Sequence, residues 1–156
     1  MPKFMMIGGA MVGLFGLMML GCRGEQAAAE EEGGRVRESG FGVSVATDRA
    51  IYTVGEPVTI ELRIFNRTGE EITLNFRDAQ RYDFILEDKE ENKVWQWSEG
   101  MMFAQMLDQE ALGSGKEELT YSATCEEKLS PGKYKVTGVL FAQDKPMSGN
   151  IAIVVK

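Results

Sequence analysis

The chain of 156 residues is long enough for one ordinary domain and too short for two. Apolar residues make up 44% and charged residues 26%, which is typical of a globular protein, and two cysteines are too few for a disulfide framework. The formal net charge of −7 repels phosphate backbones and disfavours a nucleic-acid partner, and the absence of histidine removes the usual general base for a serine or cysteine nucleophile.

The first 21 residues have the pattern of a bacterial signal peptide. A single base, Lys3, precedes an apolar run of about 17 residues, Phe4 to Leu20. The ending Met19–Cys22 resembles the bacterial lipobox, in which a small residue precedes a lipidated cysteine, although this pattern prefers leucine where Met19 stands. An uncleaved transmembrane anchor is the alternative, because the run is marginal for a bilayer span. Both interpretations predict a cell-envelope location outside the cytoplasmic membrane, and the first predicts a lipid anchor on Cys22.

Two further segments follow the predicted signal peptide. Residues 22–40 are rich in Gly, Ala and Glu and hold almost no large apolar side chain, so they are predicted to form a disordered tether. Residues 41–156 are predicted to form the folded domain, because apolar side chains recur there at every second position.

The period of two predicts half-buried strands separated by turns of Gly, Asn and Pro. The alternating sets in chain order are Val58, Ile60, Leu62 and Ile64; Ile72, Leu74 and Phe76; Tyr82, Phe84 and Leu86; Trp95 and Trp97; Leu119, Tyr121, Ala123 and Cys125; Tyr134, Val136, Gly138 and Leu140; Ile151, Ile153 and Val155. A helical period is an open alternative only at Phe103 to Leu112. Sheets with one wet face pack in pairs, so we predict an all-β, immunoglobulin-like antiparallel β-sandwich of about seven to nine strands.

Four motifs in this domain together resemble the BsuPI domain, a family named for an intracellular inhibitor of a subtilisin-type serine protease in Bacillus. They are the opening Tyr52-x-x-Gly55-Glu56-Pro57-Val58; Gln80-Arg81-Tyr82-Asp83-Phe84; Val94-Trp95-x-Trp97-Ser98; and Pro131-Gly132-x-Tyr134. The resemblance covers roughly Val45 to Phe141 and implies proteinase inhibition. Cys125 departs from the tryptophan expected in the family pattern, and the predicted export signal departs from the intracellular location of the named inhibitor.

The motif residues have a structural and a functional interpretation. Tyr82 and Phe84 are expected in the core, with Asp83 bonded to neighbouring backbone or paired with Arg81 or Arg77; the alternative is a recognition patch. Trp95 and Trp97 share one strand face. They are expected to close one end of the sandwich, and would form a binding hot spot if they were exposed together.

The best candidate for a protein-binding loop is Ser98, Glu99, Gly100, Met101, Met102 and Phe103. It follows a strand, contains a glycine and offers three large apolar side chains. Subtilisin-like proteases accept extended peptides with apolar side chains, so a rigid loop that presents Met101 or Met102 would suit such a cleft. The alternative is that Met101, Met102 and Phe103 pack down as a lid.

We therefore expect a binding module that is not an enzyme and needs neither a cofactor nor a metal. Its expected partner is a serine protease of subtilisin type or another envelope protein, with membrane attachment through the N-terminal lipid. The alternative function is an envelope adhesion or assembly module with no protease target.

Overall fold

The computed structural model describes residues 40–113 and 115–156, which lie in one compact unit. The predicted signal peptide, Cys22 and the predicted tether up to residue 39 lie outside the described residues. Within the described part, the regular structure consists of ten strands. These are β1 (Phe41–Thr47), β2 (Ile51–Tyr52), β3 (Val58–Asn66), β4 (Ile72–Phe76), β5 (Tyr82–Glu87), β6 (Lys93–Gln96), β7 (Asp108–Leu112), β8 (Glu118–Cys125), β9 (Gly132–Leu140) and β10 (Met147–Val155). No helix in these residues is long and apolar enough to cross a bilayer.

The strands form two main sheets and a shorter pair. One sheet has the order β1-β3-β8, the other has the order β2-β10-β9-β5-β6, and β4 pairs with β7. All pairings are antiparallel except that between β2 and β10. The β4–β7 pair continues the β3–β8 ladder, since the pair Phe65↔Glu118 is followed by Ile72↔Leu112 after a short loop on each side.

Asn66 forms side-chain hydrogen bonds at the interruption between the β3–β8 and β4–β7 ladders. Its side chain is 3% exposed, and its amide nitrogen donates to the carbonyls of Glu70 (2.7 Å) and Leu112 (2.8 Å). Its amide oxygen accepts from the backbone N–H and the hydroxyl of Thr68. Because a buried amide is costly unless it is hydrogen-bonded, this asparagine fixes both loops to one geometry.

The core lies between the two main sheets, as the alternation predicts. Ile60, Leu62, Phe84 and Val136 are fully buried and belong to one apolar cluster. At the start of β9, the hydroxyl of Tyr134 donates to the carbonyl of Ser130 four residues earlier (2.8 Å). A hydrogen bond of this kind is the tyrosine corner of immunoglobulin-like sandwiches. The predicted all-β, immunoglobulin-like antiparallel sandwich is therefore confirmed.

Two details of the prediction need correction. The described residues hold ten strands instead of seven to nine, because the alternating sets do not include β1, β2 or β7. The open alternative of a helix over Phe103 to Leu112 is wrong: residues 103–107 have no regular secondary structure, and Asp108–Leu112 is a strand. This strand forms because β4 offers it a complete antiparallel ladder, from Ile72↔Leu112 to Phe76↔Asp108.

Candidate functional site

Exposed apolar side chains are concentrated in one segment of the described surface. Seven large hydrophobic residues are exposed, and four of them are Met101 (47%), Met102 (97%), Met106 (55%) and Leu107 (82%). No side chain from residue 100 to residue 107 is ionisable. Adjacent exposed apolar groups are typical of contact surfaces, which favours this segment as the candidate site. We call residues 98–107 the binding loop, after the function that the sequence predicts for this segment.

The binding loop begins with a tight turn. The backbone N–H of Met101 donates to the carbonyl of Ser98 (3.0 Å), and Gly100 has a φ of 79°. A positive φ at the third position defines a type II turn, and glycine adopts it without steric cost. After the turn, residues 101–107 run without regular secondary structure until β7 begins.

A buried carboxylate holds the start of the binding loop. Asp83 is 1% exposed, and it accepts hydrogen bonds from the backbone N–H of Ser98 (3.1 Å) and the Ser98 hydroxyl (2.6 Å). It also accepts from the side-chain amide of Gln96 (2.6 Å) and from the backbone N–H of Phe84 (2.8 Å). The Gln80–Phe84 and Val94–Ser98 motifs therefore meet at one carboxylate, which fixes where the loop leaves the sheet.

The end of the binding loop is held by residues that immediately precede β5. The guanidinium of Arg81 forms ion pairs with Asp108 and, at 2.9 Å, with Glu110, both on β7. The backbone N–H of Ala79 donates to the carbonyl of Ala104 (2.9 Å). Asp83 bonds to neighbouring backbone, which is one of the two arrangements that the sequence suggested, and Arg81 pairs with β7 instead of with Asp83. Residues 79–83 thus hold the beginning, the middle and the exit of the loop.

An aromatic stack forms the floor under the loop. The rings of Tyr82 and Tyr121 stack at 4.4 Å, those of Tyr82 and Trp97 at 4.3 Å, and Trp97 contacts Phe103 at 5.9 Å between centroids. Burial raises the pKa of Tyr82, so its phenol stays neutral at physiological pH. Trp95 and Trp97 are half-buried and pack against the core.

The structure therefore separates the side chains suggested for the loop. Phe103 is half-buried and packs down on Trp97, whereas Met101 and Met102 point outward. Ser98 faces Asp83, and Glu99 is exposed beside Lys93 at 3.3 Å. The prediction that this segment binds a protein stays a prediction.

Sequence reasoning missed Met106 and Leu107. The available signal was the uncharged stretch from Gly100 to Leu107, which extends past the segment proposed as a loop. The helical alternative over Phe103 to Leu112 assigned the second half of that stretch to a different element. In the structure, residues 103–107 have no regular secondary structure and β7 begins at Asp108.

The remaining residues of the family motifs lie in the sandwich framework. Pro131 immediately precedes β9, Gly132 is the first residue of that strand, and Tyr134 is buried within it. The backbone N–H of Gln80 donates to Asp78 (2.9 Å). They are not part of the binding loop.

Two further features bear on chemistry. Within residues 40–113 and 115–156, no three side chains of His, Cys, Asp or Glu group together in a way that could hold a metal ion. Cys125 is fully buried, and burial raises the pKa of its thiol. A protonated and inaccessible thiol is a poor nucleophile.

Comparison with known proteins finds one matching family and several solved structures of low sequence identity. The model of the family described as BsuPI, intracellular proteinase inhibitor, matches residues 45–145. The CARDB domain of a Pyrococcus furiosus protein, crystallised with di-metal ions, is 11% identical, and the similarity covers 74% of this chain and 87% of that domain with a TM-score of 0.44. The sporulation control protein Spo0M of Bacillus subtilis is 15% identical over 76% of this chain and 50% of its own, with a TM-score of 0.46. No curated protein sequence matches the chain.

The family description overturns the predicted location. A family described as intracellular conflicts with a lipid-anchored position outside the cytoplasmic membrane, so the cell-envelope prediction is wrong. That prediction depends on the apolar run before Cys22, and hydrophobicity alone does not establish that a run is used as a signal peptide.

The family match covers about two thirds of the chain and contains the binding loop, Asp83, Arg81 and both motifs that hold them. The chain belongs to the BsuPI family, which is described as intracellular proteinase inhibitors.

Proposed function

We propose that the chain inhibits a serine proteinase of subtilisin type by presenting the binding loop to the enzyme's substrate cleft, and that residues 41–156 form the inhibitory domain. The observation that carries the proposal is the exposed stretch from Gly100 to Leu107, which has no ionisable side chain and in which Met102 is 97% exposed. Family membership supports a proteinase as the partner. The envelope adhesion alternative needs a location outside the cytoplasmic membrane, which the family description contradicts.

The anchoring of the loop suits inhibition. A substrate peptide loses conformational freedom when it enters a cleft, at a cost of about 0.5–1.5 kcal/mol for each immobilised flexible side chain. Asp83 and Arg81 hold the two ends of the loop before any enzyme arrives, and Phe103 packs on Trp97. Much of the ordering cost is therefore met during folding, and the complex gains affinity over a free peptide of the same sequence.

Met102 is the proposed main contact with the enzyme. Its thioether side chain is long, unbranched and uncharged, and such a side chain adapts its shape to an apolar pocket. Complete burial of a methionine side chain contributes about 1.5–3 kcal/mol. A proteinase with a large apolar primary pocket fits this contact, whereas one that selects a basic side chain does not. Inhibition by this route requires no catalytic residue in the chain.

The test is an inhibition assay with the purified chain against several subtilisin-type enzymes and one enzyme specific for basic residues. The Met102→Asp variant is expected to inhibit the subtilisin-type enzymes about 10- to 100-fold more weakly, because it would bury a carboxylate in an apolar pocket. Ile51→Asp is the matched control, since Ile51 is 53% exposed but lies on β2. The proposal fails if the chain inhibits none of these enzymes at high micromolar concentration, or if both variants weaken inhibition equally.

A further inference from the structure

The accessible sulfur atoms of the described residues are concentrated in the binding loop. Met101, Met102 and Met106 are 47%, 97% and 55% exposed. The fourth methionine in residues 40–113 and 115–156 is Met147, which is half-buried at the start of β10 and pairs with Leu140. Cys125 is fully buried, and its raised thiol pKa disfavours the thiolate. An oxidant that meets the described surface therefore finds thioethers in the loop first.

Between residues 100 and 107 the thioethers are the groups that can change the polarity of the loop. No side chain in this stretch is ionisable, and the ionisable side chain of the loop, Glu99, lies at its start and pairs with Lys93. Oxidation converts a flexible apolar methionine into a polar sulfoxide, and sulfoxide reductases reverse the change. A loop of this composition is a surface whose polarity depends on oxidants.

We propose that Met102, together with Met101 and Met106, is a site of reversible oxidation by peroxides, and that sulfoxide formation switches inhibition off. The inference rests on the proposed function. In the reaction, one peroxide oxygen forms a bond to the thioether sulfur while the O–O bond breaks. The sulfide is oxidised to a sulfoxide by two electrons, and hydrogen peroxide is reduced to water.

The contacts that hold the loop in place contain no sulfur, so methionine oxidation is expected to weaken binding without unfolding the loop. Asp83 holds Ser98, and Arg81 holds Asp108, through oxygen and nitrogen atoms only. The hydrogen bond from Met101 to Ser98 uses backbone atoms. Sulfoxides at exposed positions therefore leave the fold and the loop conformation intact. A polar sulfoxide placed in an apolar pocket lacks a hydrogen-bond partner there, so inhibition is expected to weaken on the order of 10- to 100-fold.

The experiment treats the full chain with limiting hydrogen peroxide and follows two readouts. Peptide mass spectrometry measures the rate of sulfoxide formation at each methionine, and an inhibition assay with a subtilisin-type enzyme measures potency. Met102 is expected to oxidise faster than Met147, and potency is expected to fall in step with the Met102 sulfoxide. Methionine sulfoxide reductase is expected to restore potency.

The matched control is the triple variant Met101→Leu, Met102→Leu and Met106→Leu, which keeps the apolar volume and removes the thioethers. Whatever its starting potency, this variant is expected to change in potency by no more than about threefold between the untreated and the peroxide-treated sample, which separates loop oxidation from damage elsewhere in the chain. The inference is overturned if the untreated chain inhibits and the Met102-oxidised chain inhibits equally well, or if Met147 oxidises first. If the untreated chain inhibits no enzyme, the proposed function fails, and this inference fails with it.

Discussion

Removal of the buried carboxylate at the start of the binding loop tests how the loop is held. In the Asp83→Ala variant, the backbone N–H groups of Phe84 and Ser98, the hydroxyl of Ser98 and the amide of Gln96 each lose an acceptor. A hydrogen bond to a charged group contributes about 1.5–3 kcal/mol, and an orphaned buried donor costs about as much. Ser98 and Gln96 are half-buried, so their side chains can turn to water, whereas the backbone N–H cannot.

We therefore expect Asp83→Ala to lower the free energy of unfolding by about 3 kcal/mol, nearer to one good hydrogen bond and a cavity than to four full bonds. Asp83→Asn keeps one acceptor oxygen, and we expect it to cost about 1–2 kcal/mol. Urea unfolding followed by tryptophan fluorescence measures both values, because the two tryptophans, Trp95 and Trp97, pack against the core and Trp97 contacts Phe103 of the loop.

The same variant should also release the loop. Limited proteolysis under native conditions is expected to cleave the Asp83→Ala chain between residues 99 and 107 at least about tenfold faster than the wild type, in line with a loss above 1.4 kcal/mol in local stability. Glu99→Ala is the control, because Glu99 is exposed and its ion pair with Lys93 contributes little. A stability loss under about 1 kcal/mol, with unchanged cleavage in the loop, would refute the assignment of Asp83 as its anchor.

Three further predictions concern the sandwich itself. A Cβ on Gly138 would lie 2.9 Å from Cγ2 of Val45, so Gly138→Ala should lose about 1–3 kcal/mol in urea unfolding, and an unchanged midpoint would contradict this packing. The Cys125 thiol should react with a maleimide in the native chain only as fast as the domain opens; rapid native labelling, located by peptide mass spectrometry, would show that it is accessible. The Lys116 side chain lowers the pKa of Glu110, so this carboxylate stabilises the fold above its unfolded pKa and loses that contribution as the pH falls through its folded pKa. Glu110→Gln should therefore show a smaller loss of stability than the wild type between roughly pH 5 and pH 2, and parallel curves would refute this.

The sandwich was predictable because burial in a sheet has a period of two. Ile60, Leu62, Phe84 and Val136 are fully buried, as their alternation with polar residues requires. The sequence of β7, Asp108–Leu112, has no such alternation. That strand depends on its ladder with β4, which is distant in sequence, so local patterns do not reveal it.

The binding loop was predictable in composition but not in its shape. A segment with a glycine and three large apolar side chains indicates either an exposed loop or a packed lid, and local sequence does not distinguish them. The choice depends on contacts across 15 residues, from Asp83 to Ser98, and across 27 residues, from Arg81 to Asp108. These contacts leave Met102 outside while Phe103 packs down, although the two residues are neighbours of similar hydrophobicity.

The binding loop connects β6, an edge strand of the five-stranded sheet, to β7, which pairs with β4 in the extension of the other ladder. The two ends of the loop therefore join different sheets, and a relative displacement of the sheets would change the distance between these ends. A partner that fixes the loop conformation would restrict this displacement. If a proteinase binds the loop as proposed, amide hydrogen exchange should slow in β4 and β5, although neither strand is part of the loop.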